Sequence, residues 1–108
     1  MSITTCLEPL LETGVEEFLK RHDLEAEFQK VCELVRDCFP EMRALHIGLL
    51  DDPDEDNRRW VVLHVLVPPA HPTDLLQTQR LRYHERLVDQ LPLAYHPYFG
   101  LVVDFLSE

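Results

Sequence analysis

Glycine is scarce in this sequence: three among 108 residues, at Gly14, Gly48 and Gly100, each isolated from the others. A glycine-rich phosphate cradle needs clustered glycines so that backbone amides can approach the anion, and this spacing excludes one. Cysteine is scarce as well. Cys6, Cys32 and Cys38 form no CxxC pair and their number is odd, so they read as free thiols in a reducing compartment. No run approaches the roughly 18–20 apolar residues of a membrane span, and MSITTCLEPLLETG lacks the basic and apolar regions of an export signal. A cytoplasmic protein without a membrane partner is the expectation.

Basic side chains are the third scarcity. Lysine and arginine number 10 against 20 aspartates and glutamates, a formal net charge of -10. Residues 1–57 carry fifteen acidic side chains against five basic ones, while residues 58–108 carry five of each. Such a field repels phosphate backbones and anionic lipid, so nucleic acid is not an expected partner. Arg80, Arg82 and Arg86 gather locally, but Glu85 and Asp89 stand at helical spacing to pair with them.

Against these absences, 45% hydrophobic and 28% charged residues describe an ordinary globular chain. Its length suits one α+β domain over residues 1–108, with residues 1–12 expected to be flexible. TGVEEFLKR opens on a capping-box pattern, Thr13 with Glu16, ahead of a short helix presenting Val15, Phe18 and Leu19. Asp23 reads as the cap of a second helix, in which Leu24, Phe28, Val31, Val35 and Cys38 form one stripe and Pro40 forces a stop near Phe39. RALHIGLL over 43–50 changes to an alternating period and reads as a strand; RWVVLHVLV over 59–67 reads as a strand apolar on both faces. A third helix runs from Thr73 towards Pro92 with Leu76, Tyr83, Leu87 and Leu91 inside, and FGLVVDFL over 99–106 is a third strand. The expected fold is a three-stranded mixed sheet: a β-hairpin plus a third strand after a crossover helix. That strand should lie parallel to the second and beside the first, order 2-1-3, with helices packed mainly on one face.

The most conspicuous chemical pattern is LLDDPDEDNRRW, where Asp52, Asp54 and Asp56 recur every second residue. An EF-hand loop needs a sixth-position turn residue and a bidentate glutamate at position twelve; Asn57 and Leu63 stand there, and the flanks read as strands. The stretch is therefore a hairpin loop. Folding about Glu55 sets Leu45 opposite Val65, Ile47 opposite Leu63 and Leu49 opposite Val61 on an apolar inner face. The outer face then pairs His46 with His64, Gly48 with Val62 and Leu50 with Trp60.

Two kinds of site are legible on that outer face. Leu50, Trp60, Val62, Leu66, Val102 and Leu106 would form an apolar patch of a size that monomers rarely leave open. His46 and His64, with Asp104 from the last strand, could contribute to a divalent metal site, although no HxxH or HExxH spacing supports one. Elsewhere, His84 reads as a buried neutral histidine donating to a carbonyl, YHPYF over 95–99 as rings capping the core, and Cys32 and Cys38 as buried, inert thiols. The acids at 8, 12, 16 and 17 recur at helical spacing and read as a solvated helix face, or as an acidic surface for a basic partner.

The run VEEFLKRHDLEAEFQKVCELVRDCFPE, followed by a strand, an acidic turn and WVVLHVLVP, resembles a group of small bacterial proteins of similar length and unassigned function. The hallmarks are FLKRHDLE, the helix end at Phe39-Pro40 and the acidic hairpin, spanning the chain from Val15 to the last strand. The resemblance implies the order helix, helix, strand, strand, helix, strand and a bacterial cytoplasmic setting; it implies no activity. Together these readings lead to the expectation of a non-enzymatic interaction protein without a cofactor. It would be homodimeric or paired with another chain through the sheet face and the acidic helices, an antitoxin facing a basic toxin being one version. The competing expectation is a small metal-dependent hydrolase or nuclease using His46 and His64 with nearby acids.

Overall fold

The computed structural model describes residues 10–51, 54 and 59–106. In chain order the elements are β1 (Leu10–Leu11), α1 (Val15–Arg21), α2 (Glu25–Cys38), β2 (Ala44–Asp51), β3 (Arg59–Val67), α3 (Thr73–Gln90), a 3-10 helix (Leu93–Tyr98) and β4 (Phe99–Phe105). The α+β class and the alternation of the three long strands agree with the sequence. The sheet, however, has four strands in the order β1-β2-β3-β4.

Two corrections follow from that order. β4 is parallel to β3 as expected, but it lies beside β3 and not beside β2. The position reserved for it is taken by β1, which pairs parallel with β2 through Leu10↔His46 and Leu11↔Ile47. Residues 10–12 are thus part of the fold, and residues 1–9 lie outside the described residues. With β1 on the free edge of β2, the edge of β3 is the position left for a parallel neighbour. A parallel β3-α3-β4 unit fills it.

The hairpin register is the expected one throughout: Leu45↔Val65, Ile47↔Leu63 and Leu49↔Val61 on one face, His46↔His64, Gly48↔Val62 and Leu50↔Trp60 on the other. Asp51 and Arg59 close the ladder with a 2.7 Å ion pair between two exposed side chains. Of the hairpin loop, Asp52, Asp56 and Asn57 lie outside the described residues.

Helices α1, α2 and α3 contribute to one buried cluster with the inner sheet residues. Val15, Val31, Val35, Phe39, Ile47, Val61, Leu63, Val65 and Val67 are fully enclosed in it. Each such aliphatic side chain contributes roughly 1.5–3 kcal/mol relative to exposure. All members of the expected α2 stripe are buried, and the helix ends at Cys38 with Phe39 as its cap, ahead of Pro40. Leu76, Tyr83, Leu87 and Leu91 are buried along α3 as the spacing implied.

The helix starts differ from expectation. Gly14, with φ 95°, is the cap of α1, and neither α1 nor α2 has a side-chain cap hydrogen bond, so Thr13 and Glu16 form no capping box. Asp23 does not open α2; it closes α1. With φ 56° it is in the left-handed region, the Asp23 amide donates to the Lys20 carbonyl at 3.2 Å, and the Leu24 amide donates to the Leu19 carbonyl at 2.8 Å. This is a Schellman turn, completed by the burial of Leu19 and Leu24 against the core. His84 is exposed, with its ring edge-on to Tyr83 at 5.4 Å; the expected buried histidine is elsewhere.

That histidine is His71, in the loop between β3 and α3. Its Nε2 donates to Gln79 Oε1 at 2.9 Å, and Gln79 Nε2 donates to Glu41 Oε1 at 2.8 Å. His71 and Gln79 are both buried. The chain of two bonds ties the loop before β2 to α3 and to the loop that launches α3. The ring-capping reading of residues 95–99 fits the contacts, since Tyr98 packs near Phe18 and His22, and Phe99 stacks on Phe28 at 6.4 Å.

Candidate functional site

Strand pleating sends alternate side chains to opposite faces, and here the two faces have different fates. The inner positions of β2 and β3 are filled by the helical layer. On the other face none of Ala44, His46, Gly48, Leu50, Trp60, Val62, His64, Leu66, Gly100, Val102 or Asp104 is buried. Leu50 is 49% exposed and Val102 44%, while Trp60, Val62, Leu66 and Leu106 are half-buried. Trp60 is kept from full exposure by lying over β4: a Cβ on Gly100 would sit 3.6 Å from its Cδ1 and Nε1.

The apolar residues share this face with polar ones. His64 Nε2 donates to Asp104 Oδ2 at 2.7 Å, which joins β3 to β4 across the sheet surface. Because an ionised carboxylate only accepts, the proton belongs to Nε2 in the neutral imidazole, leaving Nδ1 as acceptor. His46 stands edge-on to His64, ring centroids 6.4 Å apart. Glu12, whose backbone N–H donates to the Ile47 carbonyl at 2.9 Å, lays its carboxylate over Gly48. A Cβ at residue 48 would come within 2.9 Å of the Glu12 carboxyl group. A shallow groove of about 190 Å³ runs between Glu12, His46, Gly48, Leu50, Val62 and His64.

The structure therefore brings together both sets of residues singled out in the sequence, interleaved on one surface. His46, His64 and Asp104 share the face, but Asp104 is engaged by His64, and among the described residues no group of three or more His, Cys, Asp or Glu side chains converges for a metal ion. Glu12 is the member that spacing along the chain does not reveal. Its signal is the lone Gly48 within an otherwise bulky strand, a position where close approach of another group is the usual reason for glycine. Glu12 consequently leaves the supposed helical row of acids, and Glu8 lies outside the described residues. Glu16 and Glu17 are on α1, on the helical side of the molecule.

Chemically, the His64–Asp104 pair has the form of an oriented base, yet the outer-facing positions of β2, β3 and β4 carry no serine, threonine or cysteine for it to activate. The described cysteines are on the other side of the sheet. Burial pushes the Cys32 thiol up from 9 to about 11, with Arg36 opposing and Glu33 adding slightly, so it stays protonated at neutral pH. Among the described residues no helix is long and apolar enough to cross a membrane. Comparison with known proteins returned no matching family model, curated protein or solved structure.

Proposed function

We propose that this chain is a non-enzymatic docking module that receives another polypeptide on its outer sheet face. The observation that carries the proposal is the asymmetry of the sheet. The inner faces of β2 and β3 are sealed by α1, α2 and α3, whereas the other displays Leu50, Trp60, Val62, Leu66, Val102 and Leu106 with no helix over them among the described residues. A contiguous face of this kind marks an interaction surface more often than a solvated one. His46, His64, Asp104 and Glu12 are interleaved with these apolar residues and supply polar partners within the face. The occupant is a second copy packing sheet on sheet or a different protein. The acids of α1 and α2 lie on the opposite side, so a basic partner of toxin type would use a second surface.

The test is Trp60→Glu, which places a charge within the apolar patch without disturbing the inner core. The assembled mass of the wild-type protein, or the set of proteins that copurify with it from its native host, should be lost in the variant. Identical mass and identical copurifying proteins in both would overturn the proposal.

The competing reading, a metal-dependent hydrolase or nuclease centred on His46 and His64, is favoured by one feature. A histidine that donates one ring proton to a carboxylate is the usual state of a metal-ligating imidazole. Saturating zinc or manganese should then raise the melting temperature, and an unchanged melting temperature would dismiss it.

A further inference from the structure

We propose that β4 is the seam of a homodimer, pairing antiparallel with β4 of a second copy about a two-fold axis at Val102. The inference stands on the edge of the sheet and is independent of what occupies the outer face. Among the described residues β4 has a strand neighbour on one side only. The Leu106 amide donates to the Val67 carbonyl at 2.9 Å. Since successive residues of a strand turn their backbone groups to opposite sides, Gly100, Val102 and Asp104 bond towards β3 as well. Leu101, Val103 and Phe105 then turn their N–H and C=O groups outward at the edge.

Monomeric proteins blunt such edges with lysine, proline, a bulge or a very short strand. Among the described residues the opposite edge strand, β1, has two residues. β4 uses none of these devices. FGLVVDF runs in unbroken register with β3 from Val61↔Phe99 to Val67↔Phe105, contains neither proline nor lysine, and its one charge, Asp104, is engaged by His64. Val102 and Phe105 are 44% and 45% exposed.

The sequence of the strand selects its own copy as the occupant. Turned on itself about Val102, it sets Leu101 against Val103 and Phe99 against Phe105 on the helical side, every pair apolar. On the outer side Val102 meets Val102 and Gly100 meets Asp104, which keeps the two carboxylates apart. The residues with outward backbone groups, Leu101 and Val103, face one another and can exchange both N–H···O bonds. Centring the pair on Asp104 instead would oppose two carboxylates, and centring it on Val103 would set Asp104 against Val102; both are poorer cross-strand pairs. The product is a continuous eight-stranded sheet with the two open outer faces side by side.

Light scattering of the wild-type protein should give twice the 12.7 kDa chain mass. Val102→Asp and Val102→Lys, each placing like charges across the axis at an exposed position, should each be folded monomers that unfold cooperatively, with a melting temperature that no longer depends on protein concentration. Mixing the two in equal amounts should restore the dimer, because opposite charges then meet. The amides of Leu101, Val103 and Phe105 should exchange with solvent about tenfold or more faster in either single variant than in the dimer. Val103→Pro is the second route to the same loss, since it removes an N–H that faces away from β3 and has no strand partner among the described residues. A wild-type monomer at every concentration, or a dimer unaffected by Val102→Asp, overturns the proposal. A dimer lost in Trp60→Glu but kept in Val103→Pro, a position on the helical side of the strand, overturns the edge and sustains the open-face reading; a dimer kept in Trp60→Glu but lost in Val103→Pro sustains the edge.

Discussion

Asp23 shows how much one backbone conformation can conceal. In sequence it has the form of a helix cap, because aspartate ahead of an apolar-periodic run usually is one. Its left-handed φ of 56° and the two bonds of the Schellman turn make it a terminator instead, a position where glycine is the commonest residue. An L-residue there costs roughly 1–2 kcal/mol, partly relieved for aspartate. Asp23→Gly should therefore stabilise the protein by about 0.5–1 kcal/mol, and Asp23→Val should destabilise it, both readable from the urea midpoint at constant slope. Side chains that depend on residues distant in sequence were equally hard to foresee. His71 finds Gln79 eight residues away and Gln79 finds Glu41 across the fold, while His84, beside a buried tyrosine, faces solvent.

At the scale of elements, what could be foreseen follows from periodicity and what could not follows from its absence. β2 alternates strongly enough that a one-residue slip would expose Ile47, so its pattern, with the hairpin folded about residue 55, gives the register against β3 even though β3 is apolar on both faces. Pro40 placed the end of α2. β1, by contrast, is described over two leucines, too few to show a period, and its place beside β2 is what sends β4 to the far side of β3. The candidate site was legible only where it lay on the alternating strands; Glu12 reaches it from a loop. The His71–Gln79–Glu41 chain carries the clearest prediction at this scale, because it fastens α3 to two loops. Gln79→Leu would leave the His71 N–H and the Glu41 carboxylate without their partner, a loss of about 1–3 kcal/mol in unfolding free energy. His71→Ala, which leaves room for water, should cost less.

For the molecule as a whole, the groups packed between α2 and α3 set the alkaline limit of stability. Cys32 releases its proton near pH 9 when unfolded and near 11 when folded, so between those values the native state holds a proton that the unfolded chain has lost. Its contribution is complete below pH 9 and declines as the pH rises towards 11. Burial raises the Tyr83 phenol in the same sense, with Cys32 and Cys38 adding to it, and extends the decline upward from pH 10. Calorimetry should show a melting temperature that is level from pH 7 to 9 and falls beyond it, and Cys32→Ala should flatten the first part of that fall. A further consequence comes from the chain's only tryptophan, whose ring lies across Gly100 at the junction of β3, β4 and the uncovered face. Its emission colour and its accessibility to acrylamide quenching will report, without any label, both the detachment of the last strand and the arrival of a protein on that surface.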